Sequence, residues 1–497
     1  LVCMAFFFTF LRLHEVKVTG KRVFHIAGFI VVALGCGLFT NQIILSDFME
    51  EHQINIRMFR PMESYQKYGG VLTFARSVGY AVVKKPEGYT TAKVDQIIQE
   101  YEKKSANEQQ STAKQYPNII TVVNETFADI KVLGDFKTNE DYMPYFHSLK
   151  KNCVTGYTYA SIVGGQTANT EFELLTGNTL GFLSAGTTAF QLYIHGQMPS
   201  LVSNLKAEGY SGNKAMHPFN PYNYNRPAVY KDFGFTDFID KFDFPKNVKR
   251  VREYISDEAN VDRIISEYEK NRKKTDQPFY MYNMTIQNHS PYDKDAANFK
   301  QPIKIESSKY DAEANRYLNL IKYSDDSLKQ LTGYFEKCKE PTIILFLGDH
   351  QPRLTDEFMN KITNGQYQTW NSEQMMKRYQ VPFVIWANYD IKEQHIEKTS
   401  MNYIQSILTK TAGVKMTGYQ RFLNEVRKEV PTITSQGYWG KNGKFYQIND
   451  KGSPYYGIIQ KYRMIQYNMM FDKKNRRDSF FEAVSYTHLT LPTKLEV

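Results

Sequence analysis

The residues of this chain best suited to chemistry stand at the ends of apolar runs. Asn118-Ile-Ile-Thr-Val-Val-Asn124 leads directly into Glu125, Pro278-Phe-Tyr-Met-Tyr-Asn-Met-Thr-Ile286 leads into Gln287-Asn288-His289, and Thr342-Ile-Ile-Leu-Phe-Leu347 leads into Gly348-Asp349-His350. A fourth element, Gly164-Gly165-Gln166-Thr167, is a glycine-rich turn that opens a helical pattern. At a helix N-terminus the exposed N–H groups and the dipole favour negative charge, which suits both a developing alkoxide and a phosphate oxygen. A threonine hydroxyl is a poor nucleophile at neutral pH and needs a base or a metal to hold it deprotonated. Glu125, Asp349 and His350 are suitable ligands for such a metal. Taken singly, Thr167 reads most simply as a helix cap, Asp349-His350 as a loop hydrogen-bonding pair and Glu125 as a capping carboxylate.

The elements that carry these residues distinguish the two readings. From Pro117 onward, short apolar runs alternate with helical patterns, which predicts βαβ units and a mainly parallel sheet covered on both faces. In such sheets ligands bind at the carboxyl ends of the strands. Glu125, His289, Asp349 and His350 would therefore converge on one edge although far apart in sequence.

The rest of the chain determines where this domain sits. Residues 24–45 contain no Asp, Glu, Lys or Arg, and the preceding Arg12, Lys17, Lys21 and Arg22 form a basic block, so a transmembrane helix with its following part outside is expected. The apolar start Leu1–Leu11 reads as the end of an earlier helix. Val71, Leu72, Phe74, Val78 and Val82 predict one amphipathic helix, and Val94, Ile97, Ile98 and Tyr101, with Thr90 or Thr91 as cap, predict a second. The expected organisation is a truncated membrane region over 1–46, a helical linker over 47–116, a catalytic domain over 117–477 and a non-native tail over 483–497. The 497 residues carry a net charge of +10, compatible with an anionic membrane surface or a phosphorylated substrate. Scattered basic residues and the lack of zinc-finger spacing argue against nucleic acid. Four cysteines without C-x-x-C spacing read as plain thiols.

At its polar strand ends the sequence resembles the lipoteichoic acid synthase family, phosphoglycerol transferases of the alkaline phosphatase and sulfatase superfamily. The resemblance is carried by Asn124-Glu125-Thr126-Phe127-Ala128-Asp129, Thr167-Ala168-Asn169-Thr170-Glu171-Phe172, His217 with Tyr224-Asn225-Arg226, Gln287-Asn288-His289-Ser290-Pro291-Tyr292, and Gly348-Asp349-His350-Gln351-Pro352. It implies an alkaline-phosphatase-like α/β sandwich in which Glu125, Thr167, Asp349 and His350 hold one Mn²⁺ or Mg²⁺ and Thr167 is the nucleophile. It further implies that His217, Tyr224, Arg226 and His289 contact the phosphoglycerol group, with Tyr224 standing where family members often carry Trp. The implied reaction moves glycerophosphate from phosphatidylglycerol to a polyglycerolphosphate or glycosylated envelope acceptor, at the outer face of the cell membrane. The alternatives are phosphoethanolamine transfer, a related phosphodiesterase, or a non-catalytic binder of envelope polymers.

Overall fold

The computed structural model describes residues 21–45, 61–81, 83–105, 115–306 and 311–483. Two compact units emerge, Leu1–Lys84 with Ser184–Thr187, and Lys85–Leu183 with Thr188–Val497. In the first, a helix over Lys21–Phe39 continues as a π-helical segment over Thr40–Leu45, against which the helix Gly70–Ala81 packs. Phe29, Val31, Val32, Leu34 and Leu38 are exposed along the apolar helix. The later helix turns Val71, Phe74 and Val78 outward and Thr73 and Tyr80 inward. Among the described residues no helix is long and apolar enough to cross a membrane. The readings made for residues 1–11 and for the tail beyond Ala483 lie outside the described residues.

The second unit begins before the sequence-based boundary near 116. Its helix Thr91–Ser105 is capped by Thr90, whose Oγ1 accepts from the Lys93 N–H at 3.1 Å. The helix buries Val94, Ile97 and Tyr101 and packs against helices Gly418–Glu429 and Tyr456–Met470. This apolar face places it with the globular part, although the sequence assigned it to a linker.

The strands of that part are, in chain order, β1 (Asn118–Asn124), β2 (Cys153–Tyr159), β3 (Ser211–Met216), β4 (Asp237–Ile239), β5 (Arg250–Val251), β6 (Tyr254–Ile255), β7 (Phe279–Met284), β8 (Thr342–Gly348), β9 (Gln380–Ala387), β10 (Gln394–Ser400), β11 (Thr432–Thr434), β12 (Gly437–Trp439) and β13 (Phe445–Tyr446). Eight form one sheet in the order β10-β2-β9-β8-β1-β7-β3-β4, parallel except where β9 pairs with β2 and β8. Every residue of β1, β7 and β8 is buried, as central strands covered on both faces must be. Helices Asp257–Arg272 and Ala312–Phe335 cover one face and bring Ile264, Tyr317, Leu320 and Leu328 against Ile120, Val122, Ile344 and Phe346. Each such side chain contributes about 1.5–3 kcal/mol by leaving water. Helix Thr167–Thr176, buried at all ten positions, packs against Met401–Thr411. The hairpin β5–β6 and the small antiparallel sheet β11–β12–β13 complete the unit. Cys153 and Cys338 are free thiols.

Candidate active site

The chain leaves β1 through Glu125 and Thr126, and Thr126 adopts the left-handed conformation at φ 55°. A non-glycine residue held there stores about 1–3 kcal/mol of strain, which the surroundings must offset. The Thr126 N–H donates to Asp349 Oδ1 at 2.6 Å, and its hydroxyl donates to Glu125 Oε1 at 2.9 Å. Gly348 permits this approach, since a Cβ there would lie 1.8 Å from the Phe127 carbonyl oxygen. The turn after β1 and the end of neighbouring β8 are thus one packed unit.

Asp349 and His350 are oriented by their own backbone. Asp349 Oδ1 also accepts from the His350 N–H at 2.8 Å, whereas Oδ2 is buried without a hydrogen-bond partner. His350 Nδ1 lies 3.0 Å from the Gln351 carbonyl, so Nδ1 carries the proton and Nε2 keeps its lone pair. That Nε2 is buried without a hydrogen-bond partner, 3.2 Å from Asp349 Oδ2 and 3.8 Å from Glu125 Oε1. The Gln351 side chain in turn donates to the carbonyls of Lys377 and Gln380, both at 2.8 Å.

Thr167 is the first residue of its helix and not its cap. Gln166 precedes it at φ 66° with no side-chain capping bond, and the Thr167 hydroxyl lies 3.5 Å from Glu125 Oε2. Thr170, one turn later, donates to the Asp349 carbonyl at 2.8 Å. The structure therefore brings Glu125, Thr167, Asp349 and His350 together at the carboxyl ends of β1 and β8.

Ligand atoms of Glu125, Asp349 and His350 all lie within 4.8 Å of one another, a cluster that could hold a metal ion. The fit is chemical as well as spatial. Burial, followed by the charge of Asp349, pushes the Glu125 carboxyl up to about 8. Two adjacent buried carboxylates are costly without a compensating cation. Carboxylate oxygens, a hydroxyl and one imidazole with two orphaned acceptors form a donor set for a hard divalent ion.

A second group lies beyond β7 and β3. Arg226 is fully buried at the start of helix Arg226–Phe233 and bonds Glu171 Oε1 through Nε at 3.1 Å and Nη2 at 2.7 Å. Glu171 Oε2 accepts from Tyr230 and Tyr282. One edge of the guanidinium is thus held by Glu171, and Nη1 stands outside that pair. Glu171 follows Thr167 by one helical turn, so the spacing was visible, but its partner was not.

His217 follows β3 and directs Nδ1 to the Met284 carbonyl at 3.0 Å. Burial, then the charge of Arg226, holds this imidazole well below its usual range, so it is neutral with an accepting Nε2. His289 is half-buried with Nδ1 2.7 Å from the Ser290 carbonyl, and Phe219 stands between the two histidines with ring centroids 6.1 and 6.3 Å away. Tyr224 is left-handed at φ 60° and lies 5.1 Å from the Arg226 guanidinium.

Sequence reasoning missed two supports. Arg252, left-handed in the β5–β6 turn, donates to the carbonyls of Gln287, His289 and Pro291 and so holds the His289 loop. Buried Asp257 accepts from Asn124 and Ser324, and Asn288 bonds Asn124, tying the ends of β1 and β7. No signal singled out Arg252, whereas Asn124 and Asn288 stood within the quoted motifs.

Comparison with known proteins agrees with this architecture. The family model described as Sulfatase matches residues 117–414. A Rhizobium meliloti protein named for cyclic β-1,2-glucan modification is 30% identical over 434 residues, covering 86% of this chain and 65% of its own length. The lipoteichoic acid synthase-like YvgJ of Bacillus subtilis is 27% identical over 240 residues, covering 47% of this chain and 36% of its own length. The chain thus spans only part of the curated relatives it matches. The Streptococcus pyogenes phosphoglycerol transferase GacH, solved with sn-glycerol-1-phosphate, superposes with a TM-score of 0.64 at 20% identity, covering 81% of this chain and 100% of that one. The fold is also that of an alkaline phosphatase superfamily protein from Vibrio parahaemolyticus, with a TM-score of 0.54.

Proposed function

Because this chain belongs to the sulfatase family, we propose that its outer domain is a metal-dependent phosphotransferase moving glycerophosphate from a phosphatidylglycerol-type lipid to a hydroxyl of a cell-envelope polymer. The observation that carries the reading is the Thr167 hydroxyl 3.5 Å from Glu125 Oε2, beside the unpartnered Asp349 Oδ2 and His350 Nε2. The likeness to GacH in fold and the glucan-modifying name of the Rhizobium relative support it in kind.

Glu125, Asp349, His350 and Thr167 Oγ1 would hold one Mn²⁺ or Mg²⁺, which supplies positive charge that makes a bound hydroxyl nucleophilic at neutral pH. Thr167 Oγ1 attacks the donor phosphorus as the bond to the diacylglycerol oxygen breaks. That leaving oxygen takes a proton, and glycerophosphate stays on the threonine. Arg226, held by Glu171, and the N–H groups of the Thr167 helix face the phosphoryl oxygens. His217 and His289 accept hydrogen bonds from the glycerol hydroxyls through Nε2, with Tyr224 against the same group. An acceptor hydroxyl then attacks the phosphorus and restores Thr167.

We place the chain in the cell membrane with this domain outside. The uncharged run over 24–45 and the outward Val71, Phe74 and Val78 support that placement. The division into a membrane region and a catalytic domain over 117–477, with helix Thr91–Ser105 packed against that domain, belongs to the same proposal.

Incubating the protein with labelled phosphatidylglycerol and Mn²⁺ tests the reaction. Thr167→Ala should abolish diacylglycerol release, and undiminished release by that variant would overturn the assignment.

A further inference from the structure

Among the described residues of the second unit, the large apolar side chains left exposed are Tyr222, at 79%, and Phe242, at 74%. Their loops follow β3 and β4, which run parallel to β1, β7 and β8, so both leave the sheet at the carboxyl edge where Thr167 stands. The loops are bonded to each other, the His217 N–H to the Ile239 carbonyl at 2.9 Å and the Lys241 N–H to the Phe219 carbonyl at 3.4 Å. Tight turns present the two rings. The Tyr222 N–H donates to Asn220 Oδ1 at 3.2 Å; Asp240 accepts from the Phe242 N–H at 2.7 Å, and Asp243 from the Asp240 N–H at 2.9 Å. Pro221 and Phe244 beside them are buried.

This aromatic rim runs directly into the candidate site. Phe219 packs against the rings of His217 and His289, and the Lys241 ammonium lies 5.9 Å from the Phe219 ring and 4.9 Å from that of Phe242. Two residues after Tyr222, Tyr224 lies 5.1 Å from the Arg226 guanidinium and is near enough to Glu125 for that carboxylate to act on its hydroxyl. The lipid donor determines what such a rim meets. Lifting a two-chain lipid out of a bilayer costs, methylene by methylene, more than the tightest non-covalent complexes provide. Its phosphorus must therefore be reached at the bilayer surface, and the mouth of the site must abut that surface. Exposed aromatic rings with a lysine between them suit the boundary: the rings enter between headgroups and acyl chains while the ammonium stays among the phosphates.

We propose, on the lipid-donor reading above, that Tyr222 and Phe242 seat this unit on a phospholipid bilayer, their rings in the headgroup boundary and the mouth of the candidate site opening onto the donor headgroup.

The full chain, reconstituted in vesicles of phosphatidylglycerol and phosphatidylcholine, is compared with Tyr222→Trp, Phe242→Trp and Lys206→Trp. Lys206 is exposed on the helix that ends just before β3, at the opposite edge of the sheet. Lipids brominated on their acyl chains should quench the added emission of the first two variants about twofold and leave that of Lys206→Trp unchanged. No quenching in the first two would leave the rim to a protein partner or to solvent, and equal quenching in all three would show contact without orientation; either overturns the proposal. The double variant Tyr222→Ser, Phe242→Ser should cleave vesicle phosphatidylglycerol about tenfold more slowly than the parent. It should cleave dihexanoyl phosphatidylglycerol, dissolved below its micelle concentration, at the parent rate. No loss in vesicles, or the same loss on both substrates, would also overturn the proposal. Because quenching is read without turnover, a failure of lipid cleavage in the separate Thr167 assay would count against the transfer reading alone.

Discussion

Thr170 Oγ1 donates to the backbone carbonyl of Asp349 at 2.8 Å, so the helix that begins with Thr167 is bonded to the strand end that carries Asp349 and His350. The hydroxyl to be activated and two of the groups that would activate it are held in register by a bond that touches neither.

Thr170→Val should therefore lower diacylglycerol release about 100-fold through loss of alignment. Its stability loss should be only about 1–3 kcal/mol. Thr170→Ser should recover most of the rate. Steady-state assays with Mn²⁺ and a urea melt of each variant check both parts, and a rate unchanged in Thr170→Val would show that the bond does not position Thr167.

Glu171 is the counter-charge of a guanidinium that is 1% exposed. Removing one partner of such a pair leaves an uncompensated buried charge, so Glu171→Ala should destabilise the fold by about 3–5 kcal/mol. The double variant Glu171→Ala, Arg226→Met should be more stable than the single one. Denaturant unfolding of the three proteins measures the difference.

Stripping the protein with chelator and adding Mn²⁺ should raise its melting temperature, by an amount equivalent to about 2.7 kcal/mol at a hundredfold excess over the dissociation constant. Asp349→Asn should lose that response. A variant stabilised as strongly as the parent would place the ion elsewhere.

A pH-dependent contribution comes from His147, whose ring lies 2.7 Å from Asp141 and 3.8 Å from Asp129. The Asp129 carboxylate, followed by the hydrogen-bonded Asp141, raises this imidazole to about 9 from its ordinary 6.5. A raised histidine stabilises the fold fully below its unfolded value and loses that contribution as pH rises through the folded one. Stability should accordingly decline between about pH 6.5 and 9, and His147→Gln should flatten that part of the profile in a series of thermal melts.

The strand ends and the helix start were legible because hydrophobic periodicity and polar termination are local properties. The run Asn118–Asn124 before Glu125, the run before Asp349, and the glycine turn before Thr167 each announce an element and its end. The rule that parallel strands present ligands at their carboxyl edge supplied the convergence. The reversed direction of β9 was not legible, since a buried apolar strand reads alike in either orientation. Nor was the placement of Thr91–Ser105, whose apolar face shows that it packs without showing against what.

By itself, then, the sequence determined which side chains could reach one edge of one sheet and that a threonine would stand at the first turn of a helix there. Only the tertiary structure decided how those side chains are held: Arg226 turned toward Glu171, the His289 loop hung from Arg252, Asp349 Oδ1 occupied and Oδ2 left open. Those pairings join residues 35 to 223 positions apart. Residue type sets what a group can bond to, but only the folded chain sets which candidate lies within three ångströms of it.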